Sequence, residues 1–260
     1  MKPPPCVLTI AGSDSGAGAG VQADARTIHA LGGYALTAIT AITAQNTHGV
    51  LAWRAVPPAL IAEQIAAVVN DFPVAAIKTG LLPGATAVKA VAAALPLGIP
   101  LIVDPVMGST SGTLFLTKPG MNALRRHLLP RATLVTPNWP EAAALTDRAV
   151  RTFSEVETAA NALLATGCRA VLLKGGHAPG KICRDYLVTA NGHAQWFEGP
   201  RVATRNVHGT GCVLSAAIAA LLAEGCNLEN AVDEARAFLR QSLSKNRHLR
   251  LGRGAGPAFH

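Results

Sequence analysis

Along most of the chain, short apolar runs rich in β-branched residues alternate with longer, alanine-rich runs. The short runs predict β-strands at residues 7–11, 35–43, 75–78, 100–104, 134–136 and 170–174. The alanine-rich runs predict helices at residues 21–31, 59–70, 85–94, 119–128, 141–145 and 154–166. Continuously apolar strands separated by helices are typical of a parallel sheet covered by helices on both faces, so we expect an α/β fold.

The pattern changes after residue 174. Residues 184–189 and 194–197 are strand-like and flank Asn191-Gly192, a dipeptide that favours tight hairpin turns. Two longer helices are predicted at residues 212–224 and 227–245. No linker-like stretch, low-complexity segment or internal repeat divides the sequence, so we expect a single domain over residues 1–260.

Composition narrows the class of protein. Half of the 260 residues are hydrophobic and only 15% are charged, which excludes an intrinsically disordered chain. The five cysteines are widely spaced without a C-x-x-C pair, so we expect no zinc site, no disulfide framework and a reducing, cytoplasmic compartment. The most apolar stretch, residues 212–223, is shorter than the ~20 residues that a membrane span needs. The net charge of +8 favours an anionic partner of some kind.

In a parallel sheet, ligands gather at the carboxyl ends of the strands, so the loops there carry the candidate chemistry. The first loop is SDSGAGAG, residues 13–20, which precedes a helix with Gln22, Asp24 and Arg26. Its alternating glycines let a ligand approach the backbone and leave amides free at a helix start. The third glycine comes too early for a dinucleotide-binding fingerprint, and a flexible turn beside an ordinary helix cap is the alternative.

A second loop has the spacing of a P-loop but the wrong context. GGHAPGKI, residues 175–182, matches G-x-x-x-x-G-K, yet Ile182 stands where a hydroxyl would contact magnesium. A hairpin is predicted to follow, whereas a P-loop leads into a helix that receives the phosphates. We therefore reject a P-loop NTPase, and Lys174 at the strand end remains a candidate phosphate contact.

The third loop, within NVHGTGCVLSAA, runs directly into a predicted helix. The amides of Gly209, Thr210, Gly211 and Cys212 lie at the positive end of that helix, where an anion such as a phosphoryl group is stabilised. In the first helical turn, the Cys212 thiol is expected to have a lowered pKa. A small cysteine packed beneath the helix is the alternative, but the glycines and the adjacent His208 favour a functional role.

Acidic side chains follow two further strands. Asp104 comes directly after one strand in VDPVMGSTSG, and Asn138 and Glu141 follow the next in VTPNWPEAAAL. A carboxylate at the end of a buried strand is costly unless it holds a cation or accepts hydrogen bonds, so magnesium coordination is predicted. The alternatives are a turn-forming Asp before Pro105 and a helix-starting Glu141 after Pro140.

The carboxyl-terminal part of the chain is basic. Residues 240–260 contain five Lys or Arg and no acid. The spacing of these charges is irregular and lacks interleaved aromatic residues, and positive charge near a helix end is ordinary. We therefore expect no nucleic-acid binding.

Together these segments resemble the hydroxymethylpyrimidine and phosphomethylpyrimidine kinases of thiamine biosynthesis, a family of the ribokinase superfamily. The resemblance covers nearly the whole chain through the segments VLTIAGSDSGAGAGVQAD, ITAITAQNTHGV, IKTGLL, VDPVMGSTSG, TPNWPEAAAL, VLLKGGH, HGTGCVLSAA and LGRGAGP. It implies a three-layer, ribokinase-like fold with a central, mostly parallel sheet covered by helices on both faces. Its AQNT and HGTGC segments are typical of the pyrimidine branch rather than of sugar kinases.

The resemblance also implies a reaction and a division of roles. The γ-phosphoryl group of ATP would pass to the hydroxymethyl oxygen of 4-amino-5-hydroxymethyl-2-methylpyrimidine and then to the phosphate so formed, with Mg²⁺ bound. The pyrimidine would contact Gln45, helped by Asp24, Gly12, Leu81 and the backbone near Val106. Residues Gly209, Thr210, Gly211 and Cys212 would form the anion hole, with Cys212 as the base. Asp104 and Glu141 would organise the metal, with Lys174 and Asn138 near the nucleotide phosphates.

Two alternatives stay open. A pyridoxal kinase would share the fold and a hydroxymethyl acceptor on a six-membered ring, although Gln45 and Cys212 favour the pyrimidine. Leu81 stands where the family often has Met and could alter the ring pocket. The other alternative is a non-catalytic protein that binds nucleic acid or another ligand through its basic surface. We also expect a homodimer.

Overall fold

The structure, a computed structural model, describes residues 3–109, 112–178 and 180–260. Over these residues, β-strands form one nine-stranded sheet in the order β3-β2-β1-β4-β5-β6-β7-β8-β9. The strands are β1 (Cys6–Ser13), β2 (Tyr34–Asn46), β3 (Gly49–Ala55), β4 (Val74–Thr79), β5 (Leu101–Val103), β6 (Leu134–Val135), β7 (Ala170–Leu173), β8 (Ile182–Thr189) and β9 (Ala194–Pro200). The six strands β2-β1-β4-β5-β6-β7 pair in parallel, and β3, β8 and β9 extend the two edges with antiparallel pairs.

Helices cover both faces of this sheet. They are α1 (Gly20–Ala30), α2 (Pro58–Val69), α3 (Gly84–Ala94), α4 (Lys118–Ala123), α5 (Trp139–Thr146), α6 (Phe153–Leu164), α7 (Thr210–Ala223) and α8 (Leu228–Lys245). No helix within the described ranges is both long and apolar enough to cross a membrane.

Two buried cores lie on opposite faces because successive strand residues point to opposite sides. Val7 packs in the core formed with α1, α7 and α8, whereas the adjacent Leu8 packs in the core formed with α2 to α6. The same division separates Ile102 from Val103 in β5. The predicted three-layer α/β fold, with helices on both faces of a mostly parallel sheet, is confirmed.

The main differences from the predicted elements lie at the sheet edge and in one helix. Strand β3 was not predicted, because every residue in it is exposed or half-buried and the apolar signal of a buried strand is missing. Strand β2 continues to Asn46 because β3 pairs with it, and Gln45 is therefore a strand residue. The helix predicted at 119–128 ends as an α-helix at Ala123 and continues in irregular helical turns to Arg131.

The predicted hairpin is present as β8 and β9, with Gly192 at φ 90° in its turn. In the described part of the P-loop-like segment, β7 leads into β8 and no helix follows, as expected for a chain that is not a P-loop NTPase. Thr110 and Ser111 of VDPVMGSTSG and Pro179 of GGHAPGKI lie outside the described residues.

A buried ion pair ties α8 to the antiparallel end of the sheet. The Arg236 Nε donates to Asp185 Oδ2 at 2.6 Å, and Arg236 Nη2 donates to the Phe197 carbonyl at 3.1 Å. The other oxygen of Asp185 accepts the amide of Gly175 at 2.7 Å. Asp185 therefore fixes the backbone immediately after Lys174.

We predict that Asp185→Ala lowers the free energy of unfolding by about 3–5 kcal/mol, because it leaves the buried Arg236 charge without its partner. Urea denaturation of the variant and the unmodified protein measures this loss. Glu198→Ala is the matched control, since it removes the exposed partner of Arg184 at 2.6 Å and should cost less than about 1 kcal/mol. Equal losses in the two variants would contradict the prediction.

Candidate active site

One cleft of about 750 Å³ lies at the carboxyl ends of the parallel strands. It is lined by nearly all of the residues singled out in the sequence, namely Gly12, Gln45, Leu81, Asp104, Val106, Asn138, Glu141, Lys174, Gly209, Thr210, Gly211 and Cys212. Strands β1, β2, β4, β5, β6 and β7 and helix α7 therefore deliver these residues to one place, as expected for an open parallel sheet. Asp24 is not part of the cleft lining.

The amino end of α7 forms the anion-binding feature of the cleft. Gly209 precedes the helix at φ 80°, and a Cβ there would lie 1.9 Å from the Gly18 carbonyl oxygen, so only glycine fits. No side chain caps this end of the helix. The Thr210 amide donates to the Val207 carbonyl at 3.4 Å, so the amides of Gly211 and Cys212 are the ones available to an anion from the cleft.

An ion pair between Asp104 and Lys174 lies beside that helix end. Lys174 Nζ donates to Asp104 Oδ1 at 2.8 Å, and the Ser215 hydroxyl donates to Asp104 Oδ2 at 3.2 Å. Burial alone would raise the pKa of Asp104, but the positive charges of Lys174 and Lys78 lower it. Asp104 is therefore a buried carboxylate that stays ionised.

Glu141 is the second acid at the cleft, and it differs from Asp104 in charge state. It forms a capping box with Asn138: the Asn138 side chain accepts the Glu141 amide at 2.9 Å, and Glu141 Oε2 accepts the Asn138 amide at 2.8 Å. Burial, with repulsion from Asp104, raises the pKa of Glu141 to about 7, although Lys174 at 4.0 Å opposes the rise. Glu141 thus titrates near neutral pH.

These two carboxylates are the candidate ligands for a divalent cation. No group of three or more His, Cys, Asp or Glu side chains with metal-binding geometry occurs among the described residues. Mg²⁺ is commonly held by one or two carboxylates together with water and substrate phosphates. The Asp104 and Glu141 pair fits that mode of binding and does not fit a cage made wholly of protein ligands.

The expectation of a lowered thiol pKa at Cys212 is wrong. Burial raises the pKa of Cys212 to about 11, and the negative charges of Asp24 and Asp104 act in the same direction, while Lys78 opposes them. The positive end of α7 would lower the pKa of the thiol, but the loss of solvent around the sulfur raises it by more. The Cys212 thiol is therefore protonated at neutral pH.

Asp24 lies beneath the cleft rather than in it. It is fully buried, accepts from Lys78 Nζ at 2.7 Å and accepts from the Thr9 hydroxyl at 2.6 Å. Burial alone would lower the pKa of Lys78, but Asp24 raises it, so the ammonium persists. The sequence analysis did not identify Lys78 as a buried charge, because the sequence of an apolar strand does not show which acid its lysine pairs with.

A second cluster, at the Gln45 end of the cleft, was also not predicted. His208 Nε2 lies 2.8 Å from Asp14 Oδ2 and 3.2 Å from the Gln45 side-chain nitrogen. Asp14 stands beside a glycine-rich turn, a placement that could have drawn attention to it. His208 precedes the anion-binding loop, but its contact with Gln45 spans 163 residues and could not be read from the sequence.

The chain is similar to known kinases along almost its whole length. A family model described as phosphomethylpyrimidine kinase matches residues 14–259. A hydroxymethylpyrimidine/phosphomethylpyrimidine kinase from Rhizobium meliloti is 46% identical over 255 residues, covering 97% of this chain and 96% of the relative. Among solved structures, a phosphomethylpyrimidine kinase from Clostridium difficile superposes with a TM-score of 0.80 at 36% identity, covering 92% of this chain and 99% of that one. An ADP complex of Bacillus subtilis pyridoxal kinase superposes with a TM-score of 0.88 at 31% identity, covering 98% and 96%.

We predict that alkylation of Cys212 by iodoacetamide is slow at neutral pH and accelerates by about tenfold per pH unit up to about pH 9. The reason is that only the thiolate reacts and the pKa of this thiol lies near 11. Mass spectrometry of the modified peptide measures the rate, and Cys212→Ser identifies its contribution. A rate that levels off below about pH 8 would show a thiol with a lowered pKa and contradict the structure.

Proposed function

The chain belongs to the phosphomethylpyrimidine kinase family, and on that premise we propose that it transfers the γ-phosphoryl group of ATP to the hydroxymethyl oxygen of hydroxymethylpyrimidine and then to the resulting phosphate. One observation carries the proposal. The open helix end at Gly209–Cys212, the Asp104–Lys174 pair and Gln45 all line the same cleft. A phosphoryl-binding feature and a polar group for a ring are thus combined in a single cavity.

The ring would lie at the Gln45 end of the cleft. Leu81 packs with Ala41 and Phe115 in a small apolar cluster, and Val106 lies against it. A Cβ at Gly12 would lie 2.8 Å from the Leu81 side chain, so this apolar cluster forms a tightly packed wall of the cleft. An apolar wall with one polar amide suits a flat heteroaromatic ring.

The phosphoryl group would lie between the Lys174 ammonium and the amides of Gly211 and Cys212. Phosphoryl transfer depends mainly on positioning and on neutralising charge spread over the phosphoryl oxygens. Fixed amides and a buried ammonium supply both without reorganising during the reaction. Asn138, in the cleft wall beside Glu141, would lie near the nucleotide phosphates.

ATP and Mg²⁺ are the cofactors of this proposal. The chemistry that Mg²⁺ would supply here is neutralisation of the negative charge on the nucleotide phosphates. Asp104 and Glu141 would hold it, with Glu141 ionised when it does so. Homodimer formation stays a prediction, which light scattering would test.

Cys212 is the proposed acceptor of the hydroxymethyl proton. Because burial raises the pKa of its thiol to about 11, only a small fraction of thiolate is present at neutral pH. This matters for the first transfer, in which an alcohol must lose its proton. The second acceptor is already an anionic phosphate and needs no base.

Pyridoxal is the second candidate acceptor, because the fold also superposes on a pyridoxal kinase and both acceptors carry a hydroxymethyl group on a six-membered ring. Gln45 and Cys212 favour the pyrimidine in this chain.

We predict that the purified protein forms ADP with hydroxymethylpyrimidine, ATP and Mg²⁺, and that chromatography resolves a monophosphate followed by a diphosphate. Cys212→Ala should lower kcat of the first transfer by ~10²-fold or more, as expected for loss of a general base, and that of the second transfer much less.

Pyridoxal under the same conditions is the comparison. Turnover of pyridoxal without turnover of the pyrimidine would replace the proposed acceptor. Equal losses for both transfers in Cys212→Ala would leave the kinase in place and remove the assigned role of the thiol.

We also predict that Mg²⁺ affinity, measured calorimetrically with a non-hydrolysable ATP analogue, weakens as the pH falls below about 7, the pKa of Glu141. Protons compete with the metal for this carboxylate, by up to about tenfold in affinity per pH unit. Glu141→Gln can still complete the capping box. In this variant the pH dependence of Mg²⁺ affinity should come only from the titration of the nucleotide phosphates. An identical pH dependence in both proteins would exclude Glu141 as a ligand.

A further inference from the structure

The cluster of Asp14, His208 and Gln45 contains a contact whose hydrogen positions can be deduced. His208 Nε2 lies 2.8 Å from Asp14 Oδ2 and 3.2 Å from one terminal atom of the Gln45 amide. Asp14 and His208 are largely buried, with side chains 4% and 12% exposed. The assignment of donors and acceptors in this cluster decides whether the Gln45 amide presents its oxygen or its NH₂ group to a ligand.

Asp14 acts only as an acceptor. Its Oδ1 accepts the amide of Gly16 at 2.8 Å, and its Oδ2 accepts the amides of Gly18 and Ala19, each at 3.0 Å. Burial alone would raise the pKa of Asp14, but the hydrogen bonds from His208 and from the amides of Gly16 and Ala19 lower it. A carboxylate with this set of donors is ionised.

The ionised Asp14 requires a hydrogen on His208 Nε2, whether the imidazole is neutral or charged. A ring nitrogen that carries a hydrogen cannot accept one from the Gln45 NH₂ group. The oxygen and nitrogen of an amide have nearly the same shape, so their placement is set by the hydrogen bonds available. With its NH₂ group toward His208, Gln45 would set two donors against each other at 3.2 Å, whereas its oxygen there shares the hydrogen that Nε2 donates to Asp14. The Gln45 oxygen therefore faces His208, and its NH₂ group takes the opposite position.

We propose that His208 is a positioning residue that orients the Gln45 amide so that its NH₂ group points to the substrate. The site then selects a ring that presents a hydrogen-bond acceptor, such as an unprotonated ring nitrogen of a pyrimidine. Among the described residues, the other terminal atom of the Gln45 amide has no protein partner, which leaves it to a ligand. The identity of the ring rests on the proposed function, whereas the orientation of the amide does not.

Two features hold the His208 ring in place. Gly18 packs directly on it: a Cβ there would lie 2.2 Å from His208 Cδ2, so a side chain would displace the ring. The His208 amide donates to the Gly256 carbonyl at 3.1 Å, and the His208 carbonyl accepts the amide of Ala258 at 2.9 Å. The GAGPA segment, residues 254–258, thus supports His208 through its backbone.

The same segment also reaches the Gln45 side of the cleft. The Gly254 amide donates to the Thr47 hydroxyl at 3.0 Å, and a Cβ at Gly254 would lie 2.0 Å from the Thr47 carbonyl oxygen. The segment therefore joins the loop after β2, which follows Gln45, to the loop that carries His208. This contact gives the glycines of the LGRGAGP segment a structural role at the Gln45 end of the cleft.

The first test reads the imidazole directly and needs no substrate. Multiple-bond ¹H–¹⁵N NMR of the protein, with His208→Ala to assign the resonances, should show a protonated Nε2 in His208 at neutral pH. An unprotonated Nε2 would overturn the proposal, whatever the protein phosphorylates.

The second test measures selection by the amide. Two pyridine analogues of hydroxymethylpyrimidine each replace one ring nitrogen by C–H. In the unmodified protein, one of them should have a kcat/KM about tenfold or more below that of the pyrimidine, through a higher KM. In His208→Ala, where the amide can turn either way, that ratio should fall to about threefold or less.

Gln45→Glu provides a variant that leaves His208 in place. A carboxylate offers no donor at neutral pH, so it should lose the same discrimination. His193→Ala, which changes a half-exposed histidine facing Glu229, should keep the ratio of the unmodified protein.

The outcomes separate the two proposals. Equal discrimination in the unmodified protein and in His208→Ala, or none in the unmodified protein, would overturn the role of His208 while pyrimidine turnover stands. Absence of pyrimidine turnover together with a protonated Nε2 would instead remove the proposed function and leave the amide orientation.

Discussion

The buried ion pair between Asp104 and Lys174 is the constraint on which the cleft depends. A carboxylate this deep is tolerated because an ammonium lies 2.8 Å away and the hydroxyl of Ser215 donates to it. The pair joins the end of β5 to the end of β7, and an additional bridge between Asn138 and Lys174 continues the pairing of β6 with β7. The electrostatic pair thus fixes the relative positions of three strand ends, at which both the anion site and the second acid are built.

A second buried ion pair, between Lys78 and Asp24, lies beneath the cleft. Lys78 pairs with Asp24 under the anion-binding loop, and both influence the Cys212 thiol, as does Asp104. Burial is the largest cause of the high pKa of this thiol, and the charges of Asp24 and Asp104 add to it while Lys78 opposes them. Asp104 is therefore ionised while the nearby Cys212 thiol is protonated. A phosphoryl group that enters the cleft meets the positive charge of Lys174 without the negative charge of a thiolate beside it.

The parts predicted well from the sequence are those set by local patterns. Strands buried on both faces are continuously apolar, and the loops after them contain the glycines and acids that line the cleft. Strand β3 has no buried residue and so left no such pattern. The position of Asp24 and the high pKa of Cys212 depend on Lys78 and on depth below the surface, and His208 is linked to Asp14 across 194 residues. Burial depth and contacts between distant residues depend on the folded structure, so local sequence patterns do not predict them.

The contacts at the Gln45 end of the cleft join residues that lie far apart along the chain. Thr47 meets Gly254 across 207 residues, a longer span than that between any strands paired in the sheet. Closing so long a loop costs chain entropy that early, local structure does not repay. The sheet and its helices can therefore form before this corner is complete. During refolding, recovery of ring binding would therefore mark a later step than recovery of the helical signal.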